Sequence, residues 1–338
     1  MNFDDNSLYN IKSSVDGKRY SLFELATWKN GLAFKKINFC ETGVPVIKIA
    51  ELNNGIGGTT AYTQQTFSED VHLCKGDLLF SWSGNPQTSI DIFRFNLDEG
   101  WLNQHIFKVT PDEKIVDRDY FYFLMKNLKP HFTQIATNKQ TTGLGHVTIA
   151  DIKRMSVVIP SLDVQREMVS YIKPIDDKIE LNNEINNNLL EQVITLYRNR
   201  FVDTVNDERR ICRADEYFDI SIGKTPPRKE PQWFSTNPQD VTWVSISDMG
   251  TCGLYISSSS EQLTREAVDR HNVKVVPDNT VLLSFKLTVG RIAITNGEMT
   301  TNEAIAHFKT DKKEINEYLY CYLKCFNYQT MGLSLIHI

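Results

Sequence analysis

The chain has 338 residues, 41% of them hydrophobic and 23% charged, which is typical of a globular protein with about two domains. The formal net charge is −5. Residues 1–160 carry 17 basic and 17 acidic side chains, residues 203–338 carry 15 and 18, and this balance excludes binding of nucleic acid by charge alone.

The chain starts with the acidic stretch MNFDDNSLYN and lacks an apolar run of ~20 residues, so we expect neither a secretory leader nor a membrane span. The six cysteines are scattered, which favours reduced thiols over disulfides. None stands at zinc-ligand spacing with a histidine, so no metal site is expected. These features together predict a cytoplasmic protein.

The first third of the chain predicts a mixed α/β domain. VPVIKIA at 44–50 and GDLLFSWSG at 76–84 are rich in β-branched and aromatic residues and read as strands. DYFYFLMKNL at 119–128 carries apolar residues at i, i+3 and i+4, which indicates a helix. RMSVVIP at 154–160 predicts one more strand before a proline.

The central segment 161–202 predicts a long helix. Ser161 is a candidate N-cap and Asp163 lies in the first turn, while Pro174 is expected to kink or restart the helix. A 4-3 spacing of apolar residues, interrupted by Asn182 and Asn186, predicts a coiled-coil seam that binds a partner. Its members are Met168, Ile172, Ile175, Ile179, Leu189, Val193 and Leu196. The alternative is one amphipathic helix lying on its own domain.

The last third of the chain repeats the first. Tyr120 and Tyr122 correspond to Tyr318 and Tyr320 at an offset of 198. LNQHI at 102–106 parallels TNEAI at 301–305, DLLFS at 77–81 parallels TVLLS at 280–284, and PVIKIAEL at 45–52 parallels TWVSISDM at 242–249. Four blocks in one order indicate a duplicated domain. The alternative is that apolar strands merely look alike.

The stretch from Thr141 to Phe201, which includes IPSLDVQREM and IDDKIELNNEINNNL, resembles the central conserved region of the specificity (S) subunits of type I restriction-modification systems. GLAFKKINFCETGVPVIKI and GDLLFSWSGNPQTSI are similar to first-domain segments of the same family. The resemblance covers essentially the whole chain, and it is weaker in the second domain.

The resemblance implies an α+β (mixed α/β) fold with two target-recognition domains, at 1–160 and 203–330. The spacer helix at 161–202 would form one half of an antiparallel coiled coil. Each domain would read one half of a bipartite, asymmetric site in double-stranded DNA. The helix would set the gap and dock two modification (methyltransferase) subunits, and restriction subunits would join them. S-adenosylmethionine, ATP and magnesium would bind those partners, so this chain would hold no cofactor and contact no membrane.

The residues themselves predict no catalysis. GNPQTS at 84–89 lacks the second proline and the aromatic residue of an amino-methyltransferase loop. GIGG at 55–58 reads as a turn rather than a nucleotide loop. Loose carboxylate–lysine sets such as Asp112 with Asp151 and Lys153 are expected by accident among 42 acids. His146 is expected to be structural. A peptide-binding scaffold and the specificity module of a fused restriction-modification enzyme stay open as alternatives.

Candidate DNA-contacting residues follow from the donors and acceptors that base reading and phosphate binding need. The loop FSWSGNPQTS is rich in such groups, although it also fits a plain polar turn. The candidates in the first domain are Lys35, Lys36, Lys48, Ser81, Ser83, Asn85, Gln87 and Thr88. Those in the second domain are Lys224, Arg228, Lys229, Lys286, Thr288 and Arg291.

The end of the chain departs from the repeat. After TMG at 330–332 only LSLIHI follows, which does not resemble the LGHVTIADI that follows TTG in the first copy. Residues 331–338 are therefore expected to be a truncated start of a second spacer helix. The seam would then lack a partner in the chain, and we expect an unstable or self-associating protein.

Overall fold

The computed structural model describes residues 8–12, 14–57, 59–140, 143–204 and 212–328. The chain divides into two compact units, Met1–Ile179 and Glu180–Ile338. Each unit combines twisted sheets with short helices, which confirms the mixed α/β class. The end of the chain, where a second spacer helix was expected to be missing, lies outside the described residues.

The first unit contains twelve described strands and four described helices, and the long helix follows them. The strands are β1 (Lys18–Ser21), β2 (Ala26–Asn30), β3 (Val44–Ile47), β4 (Tyr62–Thr63), β5 (His72–Cys74), β6 (Leu78–Ser81), β7 (Ser83–Gly84), β8 (Asp91–Arg94), β9 (Glu99–Leu102), β10 (Ile106–Pro111), β11 (Gly145–His146) and β12 (Ser156–Ile159). The helices are α1 (Ile49–Asn54), α2 (Arg118–Asn127), α3 (Lys129–Asn138), α4 (Ile149–Arg154) and the long α5 (Leu162–Tyr197).

Two four-stranded sheets and two strand pairs, β1 with β12 and β7 with β11, build the described part of the first unit. One has the order β2-β10-β6-β8 and is antiparallel throughout, and its fully buried Phe80 packs with Phe121 of α2 and Phe132 of α3. The other has the order β4-β3-β9-β5, in which β3 and β9 run parallel. A second core lies on this sheet around Trp101. Two cores under two sheets make the unit large enough to be stable.

The second unit repeats this plan among its described residues. Its strands are β13 (Asp219–Ile222), β14 (Phe234–Ser235), β15 (Val241–Val244), β16 (Tyr255–Ile256), β17 (Glu261–Leu263), β18 (Val281–Ser284), β19 (Ile292–Thr295), β20 (Thr300–Thr301) and β21 (Ile305–Lys309). Its helices are α6 (Ile246–Thr251), α7 (Arg265–Arg270) and α8 (Asn316–Cys325).

The duplication predicted from the sequence is confirmed by the topology. The order β13-β21-β18-β19 corresponds strand by strand to β2-β10-β6-β8. The parallel pair β15 and β20 corresponds to the parallel pair β3 and β9. Helices α2 and α8 have ten residues each and start 198 positions apart. The four sequence blocks therefore mark equivalent elements and not generic apolar strands.

The structure corrects the predicted strand at 44–50, and the parallel block at 242–249 departs from a strand in the same way. Both end after four residues, and a short helix follows at once. In the first copy the Glu51 carboxylate accepts a hydrogen bond from the backbone N–H of Lys48 (3.0 Å), and in the second the Asp248 carboxylate accepts one from Ser245 (2.8 Å). These caps satisfy donors at the helix starts and stop each strand.

Helix α5 runs through Pro174 without ending or restarting there, so of the two expected effects, a kink or a restart, the restart is wrong. Proline removes one backbone donor, but the carbonyl that loses it belongs to the exposed Ser170, which water can reach. Nowhere in the described part of the chain is a helix both apolar enough and long enough to span a bilayer.

Candidate nucleic-acid interface

Three loops meet at one end of the antiparallel sheet β2-β10-β6-β8 in the first unit. The loop after β2 bonds to the turn between β9 and β10 through the backbone N–H of Leu32 and the carbonyl of Leu102 (2.9 Å). The segment after β6 bonds to the same turn through the N–H of Trp82 and the carbonyl of His105 (3.3 Å). We call this set of three loops the first cradle: residues 31–38, 82–89 and 103–105.

The second unit builds the same arrangement with the same backbone hydrogen bonds. The N–H of Lys224 donates to the carbonyl of Thr301 (2.9 Å), and the N–H of Phe285 donates to the carbonyl of Ala304 (3.0 Å). We call residues 223–230, 285–291 and 302–304 the second cradle. The two basic loops predicted separately, around Lys35 and around Lys224, thus occupy equivalent positions.

A repeated asparagine shapes the central turn of each cradle. The backbone N–H of Asn103 donates to the carbonyl of Ile47 (3.0 Å), and that of Asn302 donates to the carbonyl of Val244 (3.0 Å). The side-chain oxygen of Asn302 accepts a bond from the N–H of Ala304 (3.1 Å). Asparagine closes such turns because its side chain imitates a backbone carbonyl.

The residue after each of these asparagines was missed by the sequence reasoning. Gln104 and Glu303 occupy equivalent positions in the two central turns. An amide and a carboxylate are both groups that can form hydrogen bonds with base edges. The Glu303 carboxylate accepts a hydrogen bond from the Thr225 hydroxyl of the neighbouring loop. The repeated asparagine was the available signal, since it marked the start of this turn in both copies.

The predicted lysines of the first unit lie along one strip of surface. Lys35 and Lys36 are exposed on a tight turn. Lys48 is half-buried just before α1, with its ammonium 5.1 Å from the ring centre of Phe39. Lys48 and Lys35 are thus connected through Phe39, which directly follows the turn that carries Lys35.

The loop 85–89 presents polar groups next to α1. The side-chain oxygen of Asn85 accepts bonds from the N–H groups of Gln87 (2.9 Å) and Thr88 (3.3 Å). The carbonyl of Thr88 accepts a bond from Asn53 at the end of α1 (3.2 Å). Asn85 therefore shapes the loop with its side-chain oxygen, while Gln87 is exposed at the tip.

Ser81 and Ser83 were predicted to face DNA, but the structure places both inside the protein. Ser81 is fully buried in β6, where alternate strand residues point into the core. Ser83 is buried in β7, which pairs with β11 opposite His146. Neither side chain reaches the surface, because strands β6 and β7 extend into the segment FSWSGNPQTS that was predicted to be a loop.

The six predicted residues of the second unit fall into two groups. Lys224, Lys229, Lys286 and Thr288 are exposed. Arg228 forms an ion pair with Glu261 (2.8 Å), and its guanidinium lies 4.1 Å from the ring centre of Phe234. Arg291 donates to the carbonyl of Ile246 and packs against α6. Arg228 is itself exposed but paired, and Arg291 is half-buried against α6, so both arginines already have partners within the second unit.

A buried histidine stands below the second cradle. His307 is fully buried in β21, and its ring nitrogens lie 3.2 Å from the Ser221 hydroxyl and 2.7 Å from the Thr301 hydroxyl. Burial lowers the pKa of His307 to about 4, with a smaller contribution from nearby lysines. The neutral ring therefore links strands β13, β20 and β21, which carry two of the three loops.

This histidine should make the chain sensitive to acid. Unfolded His307 takes a proton near pH 6.5 while the folded ring stays neutral to about pH 4, so its contribution to stability is present above pH 6.5 and is lost as pH falls. Between pH 7.5 and 4.5 we expect about 2–3 kcal/mol less unfolding free energy from this group. Urea unfolding at both pH values should show that His307→Gln loses less unfolding free energy between pH 7.5 and 4.5 than the wild type. The exposed His105→Gln should keep the full loss, and an equal loss in all three chains would contradict the assignment.

Helix α5 contacts the first unit through residues up to Asp176 and the second unit around Tyr197. In the first unit the fully buried Gln165 donates to the carbonyl of Pro160 (2.8 Å), and Arg94 pairs with Asp176 (2.7 Å). In the second unit Tyr197 is buried and meets the ring of Tyr318 at 5.2 Å between centres. Residues 177–189 between these anchors are all exposed.

The predicted seam is an exposed apolar stripe. Six of its seven members are 46–67% exposed, and only Met168 is half-buried. Ile185 lies at the edge of the same face by the 100° rotation per residue of a helix and was not counted in the prediction. The alternative, in which this stripe is buried on the chain's own domain, is wrong. No described segment covers the stripe.

No group of three or more histidine, cysteine, aspartate or glutamate side chains that could hold a metal occurs in the described residues. His146 was expected to be structural and lies beside Trp82, with 5.9 Å between ring centres. Asp151, one of the loose carboxylates, is buried and accepts bonds from Lys139, Thr148 and Tyr9. That carboxylate is thus used to hold the first unit together.

Comparisons with known proteins match both units. Residues 15–191 and 208–334 match the family model described as the type I restriction modification DNA specificity domain. The chain is 22% identical over 325 residues to the type I restriction enzyme HindI specificity subunit of Haemophilus influenzae, covering 74% of this chain and 70% of that protein. It is 18% identical over 320 residues to the putative type I restriction enzyme MjaX specificity subunit of Methanocaldococcus jannaschii. That match covers 87% of this chain and 72% of that protein. The crystal structure of the type I restriction-modification system S subunit from M. genitalium covers 93% of this chain and 78% of its own, at 12% identity and a TM-score of 0.44.

Proposed function

Because the chain belongs to the family of type I restriction-modification DNA specificity domains, which match it twice, we propose that its two cradles each read one half of a bipartite, asymmetric DNA site. The chain is a specificity subunit with two target-recognition domains. The comparisons favour neither a peptide-binding scaffold nor a fused enzyme.

One observation carries the assignment of the cradles. The same backbone hydrogen bonds shape the same three loops in both units, while the exposed side chains on those loops differ. Gln87 and Gln104 stand in the first cradle, where Lys286 and Glu303 stand in the second. A constant frame with variable donors and acceptors suits two readers of different base sequences.

The assembly is inferred from the exposed stripe. We propose that the stripe on α5 lies at the docking surface for two modification subunits, and that restriction subunits join this complex in the cytoplasm. The partners would supply S-adenosylmethionine, ATP and magnesium chemistry, and this chain would neither methylate nor cleave DNA. An apolar stripe 46–67% exposed supports a partner, because leaving it in water is unfavourable by ~25 cal/mol per Å².

Methylome sequencing tests the function directly. A host that expresses this chain with its cognate modification subunit should acquire methylated adenines in one split, asymmetric motif, and a host with either protein alone should not. Methylation by the purified chain without the modification subunit would refute the non-catalytic role. An unmodified genome in the co-expressing host, despite an assembled complex, would refute the specificity role.

Lys286 is expected to hold a phosphate. Replacing it by alanine in the assembled complex should weaken binding to all sequences and reduce the slope of log K against log salt concentration by about 0.9. Titrations at several salt concentrations measure this slope. Lys178→Ala, on the exposed middle of α5, is the matched control and should leave the slope unchanged. Equal slopes for the wild type and Lys286→Ala would contradict the phosphate contact.

A further inference from the structure

The tip of one loop in the second cradle carries an unusual leucine. Leu287 is 94% exposed, more than any other large hydrophobic side chain in the described residues. Its φ is +62°, a left-handed conformation that is costly for a branched side chain. The other two non-glycine residues with positive φ in the described part are asparagines, which tolerate it.

The surrounding loop holds this conformation in place. The buried Ser284 hydroxyl donates to the carbonyl of Thr288 and accepts from the N–H of Arg291 (3.0 Å). The N–H of Gly290 donates to the carbonyl of Ser284 (3.0 Å), which closes the loop. Arg291 then fixes the loop to α6 through the carbonyl of Ile246. A strained residue kept by so many contacts is a reason to look for a function.

The position of Leu287 points to DNA and not to folding. Its side chain packs on almost nothing in the chain, so it adds little to stability, while its φ and its exposed apolar surface both cost free energy. Exposed Lys286 stands beside it, and exposed Lys224 lies on the neighbouring loop, so phosphates can be held around the tip. The acidic groups of the same cradle are Glu303 on the central turn and Glu230, whose carboxylate accepts a hydrogen bond from the Trp233 ring.

The chemistry of base edges narrows the target. Among the groups that B-DNA presents in its major groove, the 5-methyl group of thymine is the one that an aliphatic side chain recognises. In the first cradle the equivalent loop presents the amide of Gln87 instead. The two loops therefore differ in the kind of base edge that each suits.

We propose that Leu287 contacts the 5-methyl group of a thymine in the half-site read by the second unit. This inference rests on the proposed function and adds a specificity-determining residue to it. Covering one methyl group predicts about a fourfold gain in affinity for thymine over a base that lacks only this group.

Replacing thymine by uracil removes that methyl group and nothing else. The experiment uses the assembled complex of this chain with its modification subunit, and duplexes in which each thymine of the methylated motif is replaced in turn by deoxyuridine. One position should lose about fourfold in affinity with the wild-type chain. At that position Leu287→Ala and Leu287→Asn should bind the thymine and uracil duplexes equally.

Two variants keep the test independent of folding. Asparagine tolerates positive φ, so Leu287→Asn keeps the loop conformation while it removes the aliphatic tip. Leu144→Ala, outside both cradles, removes another aliphatic side chain that is 52% exposed and should leave the penalty at that position unchanged.

The outcomes separate the two claims. Specific binding with no uracil penalty that depends on residue 287 overturns the proposal about Leu287 alone. The proposal is also overturned if Leu287→Ala weakens binding to the thymine and uracil duplexes by the same factor. That result would indicate that the Leu287 side chain acts as a wedge between bases. A half-site without an A·T pair offers Leu287 no thymine methyl group. If the motif contains such a half-site, the proposal is overturned unless the affinity at a thymine of the other half-site depends on residue 287. If the wild-type complex shows no sequence-specific binding at all, the proposed function fails, and this inference fails with it.

Discussion

Four residues inserted after Asn187 should lengthen the gap between the two methylated half-sites by two base pairs and abolish methylation of the original motif. The insertion point lies in the exposed stretch 177–189 of α5, between the anchors at Asp176 and Tyr197. Nothing in the described residues packs on this stretch, so the helix can lengthen without disturbing either core.

The size of the expected shift follows from helix geometry. Four residues add ~6 Å at ~1.5 Å per residue, which corresponds to nearly two base pairs at ~3.4 Å each. They also rotate the helix by about 40° beyond a full turn, while two base pairs rotate the duplex by about 70°. The mismatch of about 30° is small enough for loops to absorb, so methylation at the longer gap should be weaker but present.

A length-preserving variant is the control for this insertion. Asn187 and Asn188 are both exposed and lie outside the stripe, and replacing the two by alanine changes the helix surface but not its length. Methylome sequencing should find the original gap in that variant. An insertion variant that still methylates the original motif would show that the helix does not set the gap.

Two glutamates in the exposed stripe should prevent assembly altogether. Ile179 and Val193 are 56% and 49% exposed, so replacing both by glutamate should cost the isolated chain little stability. An apolar docking surface that receives two charges must bury them without partners, which costs several kcal/mol for each. We expect co-purification with the modification subunit to fall below detection and host methylation to disappear.

The matched control places the same charges elsewhere on the helix. Asn187 and Asn188 lie outside the stripe by the 100° rotation per residue, and both are exposed. Asn187→Glu with Asn188→Glu should leave assembly and methylation intact. Light scattering on the chain alone adds a second readout: if the stripe drives self-association, the stripe glutamates should reduce the apparent mass and the control glutamates should not. Assembly that survives the stripe glutamates would remove the stripe from the docking surface.

The features that could be predicted from the sequence are those that depend on neighbours along the chain. Alternation and helical spacing identified the strands around Leu79 and Leu282, which are 203 positions apart, and the helices α2 and α8, which start 198 positions apart. The apolar stripe on α5 was also predictable, because one helix face is defined by spacing alone. The family resemblance rested instead on particular stretches of sequence, chiefly Thr141–Phe201.

Only the tertiary structure decided which polar side chains are free to act. Ser81, Arg228 and Arg291 look as suitable in sequence as Gln87 and Lys286, yet a strand buries the first and contacts with Glu261 and Ile246 engage the arginines. Each of those contacts joins residues more than thirty positions apart, so no local pattern encodes it. The convergence of three loops in each cradle has the same origin.

The strained conformation of Leu287 was equally hidden in the letters SFKLTVGR. The sequence analysis selected Lys286 and Thr288, on either side of this leucine, but not the leucine itself. Its exposure and its positive φ arise because Ser284, Gly290 and Arg291 close the loop beneath it. The sequence by itself therefore determined the duplicated α/β plan and the helix between the copies, since those depend on local periodicity. The surface proposed to read DNA was decided by long-range packing, which determines which side chains stay exposed and unpaired.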